Sequence, residues 1–154
     1  MEPTMAATGF THKRLDEMEH AFGGVFVRAR AELGLTAFGV QVLELPPDSG
    51  DFCPEHDHLH DGQEELYLLL RGSGRIVLPG TGVELDPETF VRVAPDVRRR
   101  LRSGHDGARV LVIGGVPGRS YDVAPNSELG GPETFAESAS TAMRPDGPRP
   151  QLVD

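Results

Sequence analysis

Apolar residues in this chain recur at short spacing, in brief runs that end on glycine, proline or aspartate. The segments 25–33 (VFVRARAEL), 36–45 (TAFGVQVLEL), 65–72 (ELYLLLRG), 74–79 (GRIVLP), 89–95 (TFVRVAP), 98–103 (RRRLRS) and 108–115 (ARVLVIGG) all read as strands. Between them stand PPDSG, HDG, GSG, PGTG, DPE and GHDG, whose residues supply the backbone freedom of tight turns. Evenly spaced short strands with no helical pattern between them predict an all-β sandwich or barrel. One short helix is expected over 14–24 (RLDEMEHAFGG), stopped by Gly23 and Gly24. The chain divides into an N-terminal arm (1–24), a barrel domain (25–121) and a Pro/Gly/Ser-rich C-terminal tail (122–154), expected to be irregular and either to drape over the barrel or to stay disordered. No internal repeat is visible.

In the strand from Glu65, Tyr67 and Leu69 share the face of Glu65, whereas Leu66, Leu68 and Leu70 share the other. Apolar residues on both faces require a cover on each. Either the N-terminal strand or a second copy covers the outer face, and the expected state is a homodimer.

Composition narrows the function. A chain of 154 residues suits one domain, and its 19 glycines and 13 prolines favour short elements joined by turns. The net charge of −9 opposes binding to nucleic acid or an anionic membrane. A single cysteine, Cys53, forms no internal disulfide and lacks a paired histidine for nucleophilic work. No apolar run approaches the roughly 20 residues that span a bilayer. The N-terminus lacks a basic-then-apolar signal layout, so a cytoplasmic location is expected. Glycine clusters such as GGVPG precede no helix pattern, which excludes a nucleotide-cradling loop.

The candidate chemistry lies in PEHDHLHDGQEE, 54–65. His56, His58 and His60 stand at every second position, and residues two apart on a strand share a face at roughly 6.6 Å. Two imidazoles from this run and the carboxylate of Glu65 would form a mixed nitrogen and oxygen site for Fe(II), Mn(II), Ni(II), Cu(II) or Zn(II). Tyr67 shares the face of Glu65, and Gln63 in the preceding turn and Gln41 in an apolar strand are further candidates to line a pocket.

The order P-P-x-S-G, H-x-H, E-E-L-Y-L-L-L-R-G-S-G and D-P-E-T-F-V-R-V-A-P over residues 36–115 resembles the cupin family. The resemblance implies a jelly-roll β-barrel, frequent dimerisation, and a metal or small ligand inside the barrel. Two registers fit the first cupin motif, G-x5-H-x-H-x3-4-E-x6-G. Gly50, His56 and His58 match its opening, with six residues before Glu65; His58, His60, Glu65 and Gly72 match its close, with Phe52 in place of the glycine. His58 and Glu65 belong to both. Because His60-Asp61-Gly62 also reads as the start of a turn, the inward pair is expected to be His56 and His58, with His60 at the rim.

The second motif is degraded. Counting from Pro95, Arg99 falls where small cupins place the last metal-binding histidine. A guanidinium stays protonated and coordinates no metal. Arg99 would neutralise Glu65, hold an anionic group of a ligand, or do both. Arg98, Arg100 and Arg102 share the opposite face and read as a salt-bridged strand. The chain thus resembles a sub-group of small single-domain cupins with an HDH…GQEE first motif and arginine at this position. Two functions compete. One is a metal-dependent enzyme of oxygenase, isomerase or cyclase type acting on a small anionic molecule. The other is a metal-free module that binds or senses a small molecule.

Overall fold

The computed structural model describes residues 9–134; the outer parts of the expected arm and tail, 1–8 and 135–154, lie outside the described residues. Seven strands, β1 (His20–Ala21), β2 (Phe26–Val27), β3 (Gly39–Leu45), β4 (Glu64–Leu78), β5 (Thr81–Leu85), β6 (Phe90–Val93) and β7 (Arg100–Gly115), form one antiparallel sheet. Hydrogen-bonded neighbours run β1-β2-β3-β7-β4-β5, and β6 pairs with the first half of β4. The two long strands bend. The first half of β4 lies between β7 and β6, and its second half lies between β7 and β5, so β4 and β7 link the two ends of a jelly-roll. Among the described residues no helix is long and apolar enough to cross a membrane.

Alternation sets the two faces of the sheet. Glu65, Tyr67 and Leu69 are buried, with Val91 and Val93 of β6 and Val110 and Val112 of β7 beside them. On the outer face Leu66 and Leu68 are half-buried, and Leu70 and Phe90 are 44% and 65% exposed. The same core continues to the far end of β4, where Ile76 packs with Leu85 and Leu101.

Four readings of the chain are corrected by the fold. The segment expected as a helix over 14–24 forms a three-residue 3-10 turn (Leu15–Glu17) and then β1. The segment 25–33 begins as β2 but turns at Arg28 into helix α1, Ala29–Leu33, ended by Gly34 at φ 74°. Its ARAEL sequence consists of good helix formers, and strand pairing would have left Arg28 and Arg30 without their present carbonyl partners.

The expected breaks at GSG and GHDG are bulges within β4 and β7, not strand ends. Ser73 on β4 faces the four residues 104–107 on β7, and pairing resumes on both sides. Gly72 permits this bend: its φ is 87°, and a Cβ there would lie 2.1 Å from the Gly107 carbonyl oxygen. Finally, β5 falls within a stretch read as turns. Pro79 and Gly80 close a two-residue hairpin that pairs Leu78 with Thr81, a partner that five residues of local pattern do not reveal.

Candidate functional site

The histidine segment is not a regular strand. Residues 54–58 are extended and held at one point, where His56 and Arg99 exchange both backbone hydrogen bonds (His56 N–H to Arg99 O, 3.0 Å; Arg99 N–H to His56 O, 2.9 Å). His58 N–H donates to the Pro95 carbonyl at 2.8 Å. The chain then turns, with Gly62 N–H donating to His58 O at 2.7 Å. A single β-bridge therefore brings the histidines against the residue that stands at the expected fourth-ligand position.

His56, His58 and Glu65 each present a donor atom, all within 4.8 Å of one another. His58 Nε2 is 3.2 Å from Glu65 Oε1, and the rings of His56 and His58 meet edge-on at 5.2 Å. His60 turns outward; its Nε2 is 3.3 Å from Asp61 Oδ2, and with His58 and Asp61 it forms a second, shallower cluster at the rim.

Each member is held by a neighbour. Asp61 Oδ1 is 3.1 Å from His58 Nδ1, and Gln63 donates to Asp61 Oδ2 at 2.8 Å. Tyr67 donates its hydroxyl to Glu65 Oε1 at 2.6 Å. Behind Glu65 lies Arg99, 0% exposed, with Nε 4.0 Å from Glu65 Oε1 and Nη2 donating to Ala94 O at 3.1 Å. Of the two roles expected of Arg99, neutralising Glu65 matches this enclosure.

The charges follow from these contacts. Burial lowers the pKa of His56 to about 4 despite the nearby Glu65 charge, so its ring is neutral with a free lone pair at pH 7. Burial also disfavours the charged form of His58, but hydrogen bonds to Asp61 and Glu65 outweigh it and raise its pKa to about 9. Burial would raise Glu65; the His58 hydrogen bond and the His58, His56 and Arg99 charges reverse this and hold it at about 2. Asp61 is likewise held at about 2 against burial, by His58 and Gln63. Burial and the Glu65 charge push the Tyr67 phenol well above its ordinary value.

These groups line one cavity of about 720 Å³, bounded by the inner faces of β2, β3, β4 and β7. Gln41, Gln63 and Tyr67 all line it. Gly114 lies beside Glu65 in the sheet register and Gly39 lies beyond it, and the two leave room for side chains from elsewhere. A Cβ on Gly114 would lie 2.3 Å from Gln63 Oε1, and one on Gly39 2.8 Å from the Tyr121 hydroxyl.

The sequence allowed the segment after Tyr121 to drape over the barrel but assigned neither Tyr121 nor that segment to the site. Residues 121–127, with Pro132 and Thr134, form one wall of the cavity. Two buried arginines fasten this strap. Arg28 donates to the carbonyls of Asn126 (3.0 Å) and Gly131 (3.0 Å), and Arg30 to Ser127 O (3.3 Å) and Glu128 Oε1 (2.7 Å). Glu19 accepts from Gly130 N–H and pairs with Arg28 at 2.6 Å, contacts that lower its pKa. The available signal was the pair of arginines among the apolar residues of 25–31, whose partners lie about a hundred residues away.

Other candidates fall outside the site's chemistry. Cys53 lines the cavity, although regular alternation placed it opposite the histidines; burial pushes its thiol up to about 11. His105 is exposed beside Asp48. Arg98 pairs with Glu55, and Arg100 and Arg102 both pair with Asp51, as alternation along a salt-bridged strand required.

This architecture is shared with solved structures. A cupin protein from Bacteroides fragilis superimposes with a TM-score of 0.55 at 24% identity, over 75% of this chain and 91% of that one. The chain has a cupin fold. A sugar phosphate isomerase of the cupin superfamily from Silicibacter pomeroyi is also similar, with a TM-score of 0.54 at 18% identity, over 73% of this chain and 83% of that one. No family model matches the sequence, and no curated protein matches it. In this cupin barrel the histidine cluster lies at the cavity wall, and the strap from Tyr121 onward encloses the opposite side.

Proposed function

We propose that the cavity binds a small organic molecule and that His56, His58 and Glu65 hold a divalent metal ion beside it, making the protein a metal-dependent enzyme of oxygenase, isomerase or cyclase type. The convergence of two imidazoles and one carboxylate within 4.8 Å carries this reading, because that donor set suits first-row divalent ions and leaves coordination positions open. A bound ion would supply Lewis acidity to an oxygen of the substrate. The chain's own residues set the ligands. Asp61 fixes the His58 ring through Nδ1, Gln63 fixes Asp61, and Tyr67 and Arg99 fix Glu65. On binding an ion His58 would release its Nε2 proton to solvent.

A second reading, a metal-free binding or sensing module, is favoured by one observation. The Glu65 carboxylate already has Tyr67 and His58 as partners and Arg99 behind it, so it is compensated without an ion. Elemental analysis of untagged protein, followed by calorimetric titration with Mn(II), Fe(II) and Zn(II), separates the two. The metal reading expects one ion per chain. It expects at least a hundredfold loss of affinity in His56→Ala and His58→Ala, little change in His60→Ala, and tighter binding in Arg99→His. Equal affinity of wild type and His58→Ala would leave the metal-free module in its place.

A further inference from the structure

We propose that the ligand of this cavity is a molecule with an extended aliphatic or aromatic body and a single oxygen-bearing head, and that Phe22, Phe26, Val25, Leu43 and Val123 receive the body. This rests on the reading above that the cavity is the ligand site, and adds the ligand's class.

The sheet register separates a polar end from an apolar one. Across the inner face, one row runs Gly39, Gly114 and Glu65; the next Gln41, Val112 and Tyr67; the third Phe26, Leu43, Val110 and Leu69. Four residues of strand, about 13 Å, separate the Glu65 row from the Phe26 row. A ligand whose head reaches Glu65 and the histidines therefore extends its body towards phenylalanine and leucine. Phe22 adds to this end: its ring lies 5.3 Å from that of Phe26, and both line the cavity. Phe22 is held at φ 57°, a region costly for a bulky side chain, and its N–H donates to Glu133 of the strap at 2.5 Å. Val123 of the strap, 37% exposed, lines the same cavity.

Charge disfavours the main alternative, a phosphorylated sugar. A phosphoryl group needs accessible cationic donors. Among the described residues that line the cavity there is no lysine, the arginines are Arg30 and Arg99, and His58 is already engaged by Asp61 and Glu65. Arg30 is 5% exposed and spends its terminal nitrogens on Leu35, Ser127 and Glu128; its unbonded Nε is enclosed. Arg99 is 0% exposed, and its unbonded Nε and Nη1 are likewise enclosed. Asp57, Asp61, Glu65 and Asp122 also line the cavity and would repel a second charge on the ligand.

The test is calorimetric titration of the full chain, metal-free and Zn(II)-loaded, with butanoate, hexanoate, octanoate, 4-phenylbutanoate and glucose 6-phosphate. Affinity should rise about threefold per added methylene, with one ligand per chain, and glucose 6-phosphate should bind more weakly than octanoate. Phe22→Asn, whose side chain tolerates positive φ, and Val123→Asn should each weaken octanoate about tenfold and leave Zn(II) affinity unchanged. Chain-length dependence without any Zn(II) binding would remove the metal reading and sustain this one. Zn(II) binding with no chain-length dependence, or with tighter glucose 6-phosphate, would overturn the proposal and leave the metal reading standing. No binding by any member of the series, in either form, would overturn it as well.

Discussion

At the scale of single residues, the site is a compensated charge cluster whose members shift one another. His58 lies between Asp61 and Glu65, and its folded pKa of about 9 stands above its ordinary value of 6.5. A raised pKa means that this contribution to stability is complete below about pH 6.5 and is lost as pH rises through 9. Metal-free wild type should therefore lose thermal stability between pH 6.5 and 9, and His58→Gln should show a flatter profile there. Equal slopes in melting scans of the two proteins would mean that His58 is not held charged. Glu65, depressed to about 2, acts at the other extreme: its contribution is present above about pH 4.5 and lost as pH falls through 2. Arg99 is a fully buried partner of Glu65. Arg99→Met leaves the buried carboxylate with His58 as its one remaining cation, and urea denaturation should show a loss of about 3 kcal/mol. A loss below about 1 kcal/mol would show that His58 and Tyr67 suffice.

At the scale of elements, the bent pair β4 and β7 positions everything else. Glu65 and Tyr67 stand on the first half of β4, and the second half of the pair extends the same core through Ile76 and Leu101. The bend depends on Gly72, where the backbone is left-handed and the Gly107 carbonyl leaves no room for a Cβ. Gly72→Ala should destabilise the fold by at least about 2 kcal/mol in chemical denaturation, since both strain and overlap oppose the methyl group. A neutral substitution there would mean that the bulge shifts freely. The alternation that fixed the two faces of β4 was plain in ELYLLL. The bulge was not, because GSG and GHDG have the composition of turns and only their mutual pairing keeps the strands continuous.

At the scale of the whole molecule, the outer face of the sheet is the open question of assembly. Leu66 pairs with Ile113, Leu68 with Leu111 and Phe90, and Leu70 and Phe90 remain exposed among the described residues. We propose that a second copy covers this stripe. Sedimentation at micromolar concentration should give about twice the 16.6 kDa chain mass, and Leu68→Glu with Phe90→Lys should give the monomer. A wild-type monomer would mean that the face is tolerated in water or covered from within the chain.

The sequence by itself determined the all-β class, the shared face of Glu65 and Tyr67, and the pairing of His58 and Glu65 as the members common to both registers of the motif. Each of these rests on local spacing: a strand's period of two, turn residues at its ends, and ligand types a few positions apart. Placing Arg99 against Glu65 needed the resemblance to cupins, which supplied a partner 34 residues away that spacing alone does not give. What only the tertiary structure decided is long-range. The single bridge between His56 and Arg99 put His56 inward and left His60 at the rim. The strap from Tyr121, fastened by Arg28 and Arg30, gave the cavity its remaining wall. Local pattern carries no record of such contacts, because a buried arginine bonded to backbone carbonyls accepts any sequence that brings those carbonyls within reach.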